Sequence, residues 1–382
     1  MATSALLIST VPRWIGTARI PERLVKAGFS VSMLTPKNTL AEASRFVSAV
    51  RHLPDAATTL QWLNAFTAAV DSFTPQLVIS CDDMAQRLLQ TLVLTPPPGM
   101  HPTVHLKLAR LIRESIGDPE HYRTSIDKAL LAAAGQKLGI RVPPFIAVTD
   151  PLEAEAFAAA HNFDVVLKRT FSSTGARVAM ANTRTGFIEA YTRLSGKTDL
   201  NLEGNGLHIL IQARIAATAW WRTRPAMRGA LLASASREQL MANPEPTGPA
   251  TVTRYVQVPS MREASKRLVE GFGMSGLFEI QFVTDEQTGD CFLLDINRRV
   301  TPGTHAAALV GIDLAAAFHA GFHRKPFSAR TDLDPRDEGR TFAHFPQEWL
   351  RDPGSRYLRE YPVDAPWDDP KLFAAMLALR DR

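Results

Sequence analysis

The sequence predicts an α/β protein whose first part is a parallel sheet and whose remainder is α+β. A βαβ opening, continued alternation of strand and helix up to the prolines at 96–98, and a later β-hairpin with one polar face predict this layout. Residues 5–9 read as a short buried strand, 18–27 as an amphipathic helix stopped by Gly28, and 31–34 as a second strand. A helix over 60–73, a strand over 77–80 and a helix starting at Asp82 and Asp83 continue the alternation, which implies parallel strands. The first turn, Ser9-Thr10-Val11-Pro12-Arg13-Trp14-Ile15-Gly16, lacks the spaced glycines of a dinucleotide fingerprint and argues against an oxidoreductase. The pattern loosens around 117–123, so a boundary is expected near 115, before a helix over 125–138 that stops at Gly139.

Beyond Pro143 and Pro144 the expected elements are a strand from Phe145, a helix over 151–160 and a strand over 164–168. A polar loop over 169–177 follows, then strands over 177–181 and 207–213 flanking a helix over 185–194, and a helix over 261–272. After 325 the chain is rich in Pro, Asp and Arg, with Trp349, Trp367 and Phe373 spaced as anchors for a wrapping tail.

At 382 residues the chain is too long for one ordinary core, so two or three domains are expected. Its 45% hydrophobic and 21% charged residues are a globular composition. The formal charge of +5 is scattered without a basic tract, which argues against nucleic acid and suits small anions. Cys81 and Cys291 support neither a disulfide framework nor a zinc site, and no charged leader precedes an apolar core. A cytoplasmic protein with no membrane span is expected.

The hairpin carries the chemistry. With a side-chain period of two, Phe278, Ile280 and Phe282 share one face of its first strand, and Glu279 and Gln281 the other. On the second strand Phe292, Leu294 and Ile296 are expected on the apolar face, with Asp295 and Asn297 opposite. Oxygen ligands from adjacent strands suit a hard cation such as Mg²⁺, which completes its shell with substrate phosphates and so implies a nucleotide. An amphipathic hairpin with one solvated face shows the same pattern. Arg298, Arg299 and the turn from Thr301 to His305, opening an apolar helical run, would add an anion-binding helix start. Lys168 ends a buried strand beside the small, hydroxyl-rich Ser172, Ser173, Thr174 and Gly175, a combination that can hold phosphate or can be a strand edge before a polar turn. Lys128, after Asp127, is a second candidate cation, although surface helical lysines are common.

In order and spacing these elements resemble the ATP-grasp superfamily of carboxylate ligases. The matching motifs are Asp127-Lys128, the stop Gly139-Ile140-Arg141-Val142-Pro143, Lys168, Ile211-Gln212-Ala213-Arg214-Ile215, and Gln281 with Asp295-Ile296-Asn297-Arg298-Arg299. Gln281 at the first metal position looks most like the large subunit of carbamoyl-phosphate synthase. The resemblance implies an N-terminal α/β domain over 1–115 and a two-lobed ATP-grasp domain over 116–325, followed by the tail over 326–382. Within the ATP-grasp domain a small nucleotide-covering lobe spans about 145–213 and a metal lobe about 214–325.

The resemblance further implies that Lys128 and Lys168 bind nucleotide phosphates beneath the loop Ser172 to Gly175, and that Gln212, Ala213, Arg214 and Ile215 flank the adenine. Gln281, Asp295 and Asn297, with Glu279 in reserve, would hold one or two Mg²⁺ or Mn²⁺ ions. Arg299 and Lys168 would act on the transferring phosphoryl group. The implied activity joins a small carboxylate to an amine through an acyl phosphate at the expense of ATP; a non-catalytic ATP-binding sensor or subunit of the same fold is the alternative, and a homodimer is the assembly considered. Four positions depart from the family pattern: Asp295 replaces Glu, Arg298 replaces Pro, the loop has only Gly175, and Ala219 stands where many members have a ribose-binding Glu. Trp220, Trp221, Arg222, Arg224 and Arg254 are candidates for a carboxylate pocket, and Asp82 and Asp83 for an ammonium subsite.

Overall fold

The structure is a computed structural model. It describes residues 2–12, 14–170, 178–196, 209–215, 217–245, 248–285 and 287–380, with only the backbone of 217–223. Among them are three sheets. The first is parallel, in the order β3-β2-β1-β4, built from β1 (Thr3–Ile8), β2 (Phe29–Pro36), β3 (Ala49–Leu53) and β4 (Leu77–Ser80). Apolar side chains leave its strands on both sides because both faces are covered: Leu6, Ile8 and Val78 enter one core with Phe66 and Ile112, while Leu7, Val31 and Met33 enter another with Leu24 and Phe318. The helix Asp83–Leu94 is N-capped by Asp82, which accepts from the amide of Ala85.

The second sheet is antiparallel, in the order β5-β8-β6-β7, with β5 (Phe145–Val148), β6 (Val165–Arg169), β7 (Val178–Ala181) and β8 (Ile209–Ala213). Helices Pro151–Ala160 and Arg184–Ser195 pack on one face through Ala154, Ala158, Phe187 and Leu194. That leaves the other face of β6 and β8 for polar side chains.

The third sheet is also antiparallel. It comprises β9 (Ala217–Met227), β10 (Ala230–Leu231), β11 (Ala235–Ala242), β12 (Ala250–Tyr255), β13 (Gly276–Asp285), β14 (Cys291–Asn297) and β15 (Thr341–Ala343). The main path runs β14-β13-β9-β11-β12-β15, with β10 paired to β9. The last strand belongs to residues expected to form a tail. Instead of only wrapping the surface, 326–382 complete the sheet, and the helix Pro370–Leu377 sends Leu372 and Met376 into a core with Ala18 and Leu40 of the first domain. Trp349 and Phe373 join that core as expected, whereas Trp367 is 71% exposed.

The expected boundary near 115 is a packed junction. Gly117 has φ +98° and bridges to Met274, and a Cβ there would lie 2.3 Å from the carbonyl oxygen of Gly273, so only glycine permits this approach. Arg298 is buried. Its guanidinium donates to Ser125 Oγ at 3.1 Å and to the Ile116 carbonyl, and burial lowers its pKa to about 10. The backbone of 298–300 docks on β4 through Ser80 Oγ to the Arg298 carbonyl at 3.0 Å and Val300 N–H to the Ser80 carbonyl at 3.1 Å. The carboxyl edge of the first sheet is thereby joined to the end of the polar hairpin. No single helix among the described residues is long and apolar enough to cross a membrane.

Candidate active site

The hairpin forms as β13 and β14, but its apolar face differs from the alternation expected. Gln281 faces Asp295, whereas the next residue, Phe282, faces Leu293, so Leu294 is the extra residue of a β-bulge. Beyond it the side chains change faces. Leu293 and Cys291 pack with Phe278, Ile280, Phe282 and Ile296, and Phe292 and Leu294 are only half-buried. The polar face is unaffected because it lies before the bulge: Glu279 opposes Asn297 and Gln281 opposes Asp295.

Lys128 comes from another element. Asp127 caps the helix Lys128–Lys137 by accepting from the amides of Ala129 and Leu130, which explains the Asp-Lys pair structurally. Three residues along the same helix, Leu131 joins the hairpin's apolar core, and this packing holds Lys128 over β14. The Lys128 ammonium reaches Asp295 Oδ2 at 2.5 Å, both side chains being mostly buried. The Lys128 amide also donates to the carbonyl of Thr170, tying this helix to the end of β6.

Lys168 projects from β6 and donates to Gln212 Oε1 of β8 at 2.8 Å. Burial drives its pKa down to about 8, with Asp295 pulling it up and Lys128 pushing it further down. The two lysines and the hairpin carboxylate therefore lie within one electrostatic neighbourhood, although three different elements supply them. Two cations beside a single carboxylate leave net positive charge, and among the described residues no carboxylate is in contact with Lys168.

Arg299 is buried and faces the first domain. Its Nε lies 3.0 Å from Asp83 Oδ1, its Nη2 donates to Asn297 Oδ1 at 3.2 Å, and its guanidinium stacks 5.3 Å from the centre of the Trp14 ring. Glu279 is engaged as well: it accepts from Arg237 of β11 and from Thr301 Oγ1. The helix expected from Thr301 onward has only five residues, Pro302–Ala306, and the amide of its N-cap Thr301 donates to Thr304 Oγ1. That start is too short, and its N–H too committed, to serve as the expected anion site. His305 Nε2 donates to Asp364 Oδ2 at 2.8 Å, and burial lowers its pKa to about 4, so it contributes no charge at neutral pH.

Other expected residues lie elsewhere. Arg214 forms an exposed ion pair with Asp164 at 2.5 Å, and the amides of Ala213 and Arg214 donate to the carbonyls of Pro144 and Asp164. Gln212 is turned toward Lys168, and Ile215 is half-buried. Ser172, Ser173, Thr174 and Gly175 lie outside the described residues, as do the side chains of Ala219 to Thr223. Arg224 is fully buried, and Arg254 pairs with Glu238. Asp82 is saturated by Ser9 Oγ, Thr10 N, Thr10 Oγ1 and Ala85 N, so its ammonium role is excluded; Asp83 remains beside Arg299. The roles of Arg237 and Thr301 were not expected, because their partner Glu279 is distant in sequence and no local pattern marks them.

Residues 227–341 match a family model described as "ATP-grasp in the biosynthetic pathway with Ter operon", a span that includes the hairpin. The fold recurs in solved structures. An N5-carboxyaminoimidazole synthetase from Staphylococcus aureus complexed with ADP has TM-score 0.63 at 10% identity, over 87% of this chain and 80% of that one. A biotin carboxylase from Campylobacter jejuni, in a β-γ-ATP complex, has TM-score 0.64 at 14% identity, over 85% and 72%. This is the ATP-grasp fold. An L-amino acid ligase from Bacillus licheniformis shares it, with TM-score 0.58 at 12% identity over 84% and 74% of the two chains. No protein of curated function matches the sequence.

In this ATP-grasp fold Lys168 stands on the second sheet and Asp295 on the third. The donor set on the hairpin contains only oxygen: the Asp295 carboxylate and the amides of Gln281 and Asn297. No group of three His, Cys, Asp or Glu side chains that could cage a metal occurs among the described residues. An open oxygen set of this kind fits a divalent ion that takes part of its shell from phosphate.

Proposed function

We propose that the chain is an ATP-dependent ligase that joins a small-molecule carboxylate to an amine through an acyl phosphate. The observation that supports this reading best is the meeting of Lys128, Lys168 and Asp295, contributed by separate elements, at an oxygen-lined hairpin. Lys128 and Lys168 hold the phosphate oxygens of ATP as point charges, and Lys128 exchanges Asp295 for phosphate when the nucleotide binds. A divalent ion held by Asp295, Gln281 and Asn297 would neutralise charge on the β- and γ-phosphate oxygens. Arg299, fixed by Asp83, Asn297 and Trp14, presents its guanidinium to the transferring phosphoryl group. A carboxylate oxygen bonds to the γ-phosphorus as its bond to the bridging oxygen breaks, and ADP leaves. The amine nitrogen then bonds to the acyl carbon, phosphate departs and the nitrogen loses a proton. Positioning and charge complementarity suffice for both steps, without a nucleophilic side chain. Gln281 at the first metal position is the feature shared with the large subunit of carbamoyl-phosphate synthase.

The test is ADP release measured across a panel of carboxylates and amines, with mass spectrometry of any mixture that stimulates it. A ligase requires one carboxylate and one nucleophile together for full rate. ATP binding without stimulation by any pair would support the sensor alternative instead.

The low pKa of Lys168 predicts a pH dependence. Below about pH 7 the ammonium is charged and attracts phosphate, and above about pH 9 the free protein holds it neutral. The dissociation constant for ATP should therefore rise on the order of tenfold from about pH 7 to about pH 9.5, measured by calorimetry. For folding the sign reverses. Unfolded lysine stays protonated to about pH 10.4, so this group's contribution to stability increases with pH between about 8 and 10.4.

A further inference from the structure

Glu279 is the second carboxylate on the hairpin's polar face, directly opposite Asn297. It is paired to Arg237 of β11 within a site where both side chains are about nineteen-twentieths buried, at 4% and 5% exposure, and it also accepts from Thr301 Oγ1 at 3.2 Å. Resting on the ligase reading above, we propose that the hairpin binds one divalent ion with the triphosphate, because the Arg237 guanidinium stands in for a second.

For Glu279 to ligate an ion, Arg237 would have to give up this carboxylate while remaining in a low-dielectric interior beside a divalent charge. Desolvation and like-charge repulsion both oppose that exchange. A guanidinium held on a central strand is also a fixed cation, which needs no recruitment from solution. Asp295 differs in both respects. Its side chain is 22% exposed, and its partner Lys128 is a single ammonium on a flexible stem that can move to a phosphate oxygen and leave the carboxylate to the ion. Gln281 is neutral and carries no such cost, and Asn297, whose Oδ1 accepts from Arg299 at 3.2 Å, breaks no ion pair when that oxygen turns to the ion. The polar face thus offers one carboxylate open to a metal and one already neutralised from within.

The experiment is a Mn²⁺ titration of the full chain with a non-hydrolysable ATP analogue, in which free Mn²⁺ is read by electron paramagnetic resonance. One Mn²⁺ per chain is expected. Arg237→Met, which releases Glu279, should bind two. Should that variant fail to fold, Glu279→Gln supplies the same information: it should keep one Mn²⁺ at nearly unchanged affinity, whereas loss of a true ligand costs roughly tenfold or more. Two Mn²⁺ per wild-type chain, or a tenfold loss in Glu279→Gln, would overturn the inference and leave the ligase reading intact. A folded Arg237→Met chain that stays at one ion overturns the role given to Arg237. Absence of nucleotide-dependent Mn²⁺ binding overturns both the inference and the reading beneath it.

Discussion

Replacing Lys168 by alanine is expected to lower ATP-dependent turnover by about 10² or more, with a parallel loss of ATP affinity. The reason is its position as much as its charge. Lys168 is buried on β6 with its ammonium between Gln212 and the field of Asp295, so no water shell screens what it contributes to a phosphate. Its removal also abolishes the pH dependence of ATP binding, because the group that titrates near 8 is gone. Lys168→Arg should recover little: the planar guanidinium demands more room than the buried ammonium, and its pKa places it outside the titration. Steady-state ADP release and calorimetry at about pH 7 and about pH 9.5 check both statements. Circular dichroism of the variants shows that β6 still folds.

Asp295→Ala is expected to cost about 10² to 10³ in turnover and to weaken the dependence on Mg²⁺. Two effects add. The carboxylate on the hairpin's polar face that is open to an ion is lost, and Lys128 loses the partner that holds it over the site at 2.5 Å. Asp295→Asn separates them, since it preserves the shape and one acceptor oxygen while removing the charge. If charge is what matters, Asn should be nearly as inactive as Ala. Activity in Asn close to the wild type would mean that Asp295 only positions Lys128. The reading is ADP release over a Mg²⁺ series for the two variants side by side.

Much of this architecture is legible along the chain because local forces dictate it. The strands of the first sheet are short apolar runs between a helix-stopping glycine and polar turns, and β4 and the helix Pro151–Ala160 fall where their patterns place them. β3 is harder to read, since four of its five residues are not fully buried and alternation is absent. The helix Pro102–Ile116 follows a proline cluster and has little apolar excess, so its pattern is masked by the turn before it. β15 has only three residues and exists because β12 offers it an edge, a reason that no local window contains.

The candidate site divides in the same way. The order of Lys128, Lys168 and Asp295 in known motifs marks them as partners, yet Lys128 and Asp295 are 167 residues apart and their contact is a property of the fold. The bulge at Leu294 is invisible to a period of two, which assumes that each residue on one strand meets one on the other. Arg237 carries no motif, and its importance arises only when β11 and β13 bring it to Glu279 across β9. Asp82 shows the converse: its place at a strand's carboxyl end looks chemical, but its oxygens are consumed in capping a helix and bracing the loop after β1.

The most direct measurement is a crystal structure of the full chain with Mg²⁺ and a non-hydrolysable ATP analogue. The account predicts the triphosphate between β6 and the hairpin, with the ammonium groups of Lys128 and Lys168 bonded to its oxygens and the Asp295 carboxylate turned to the ion. A nucleotide bound elsewhere, or a Lys168 ammonium still on Gln212 and out of reach of phosphate, would contradict it.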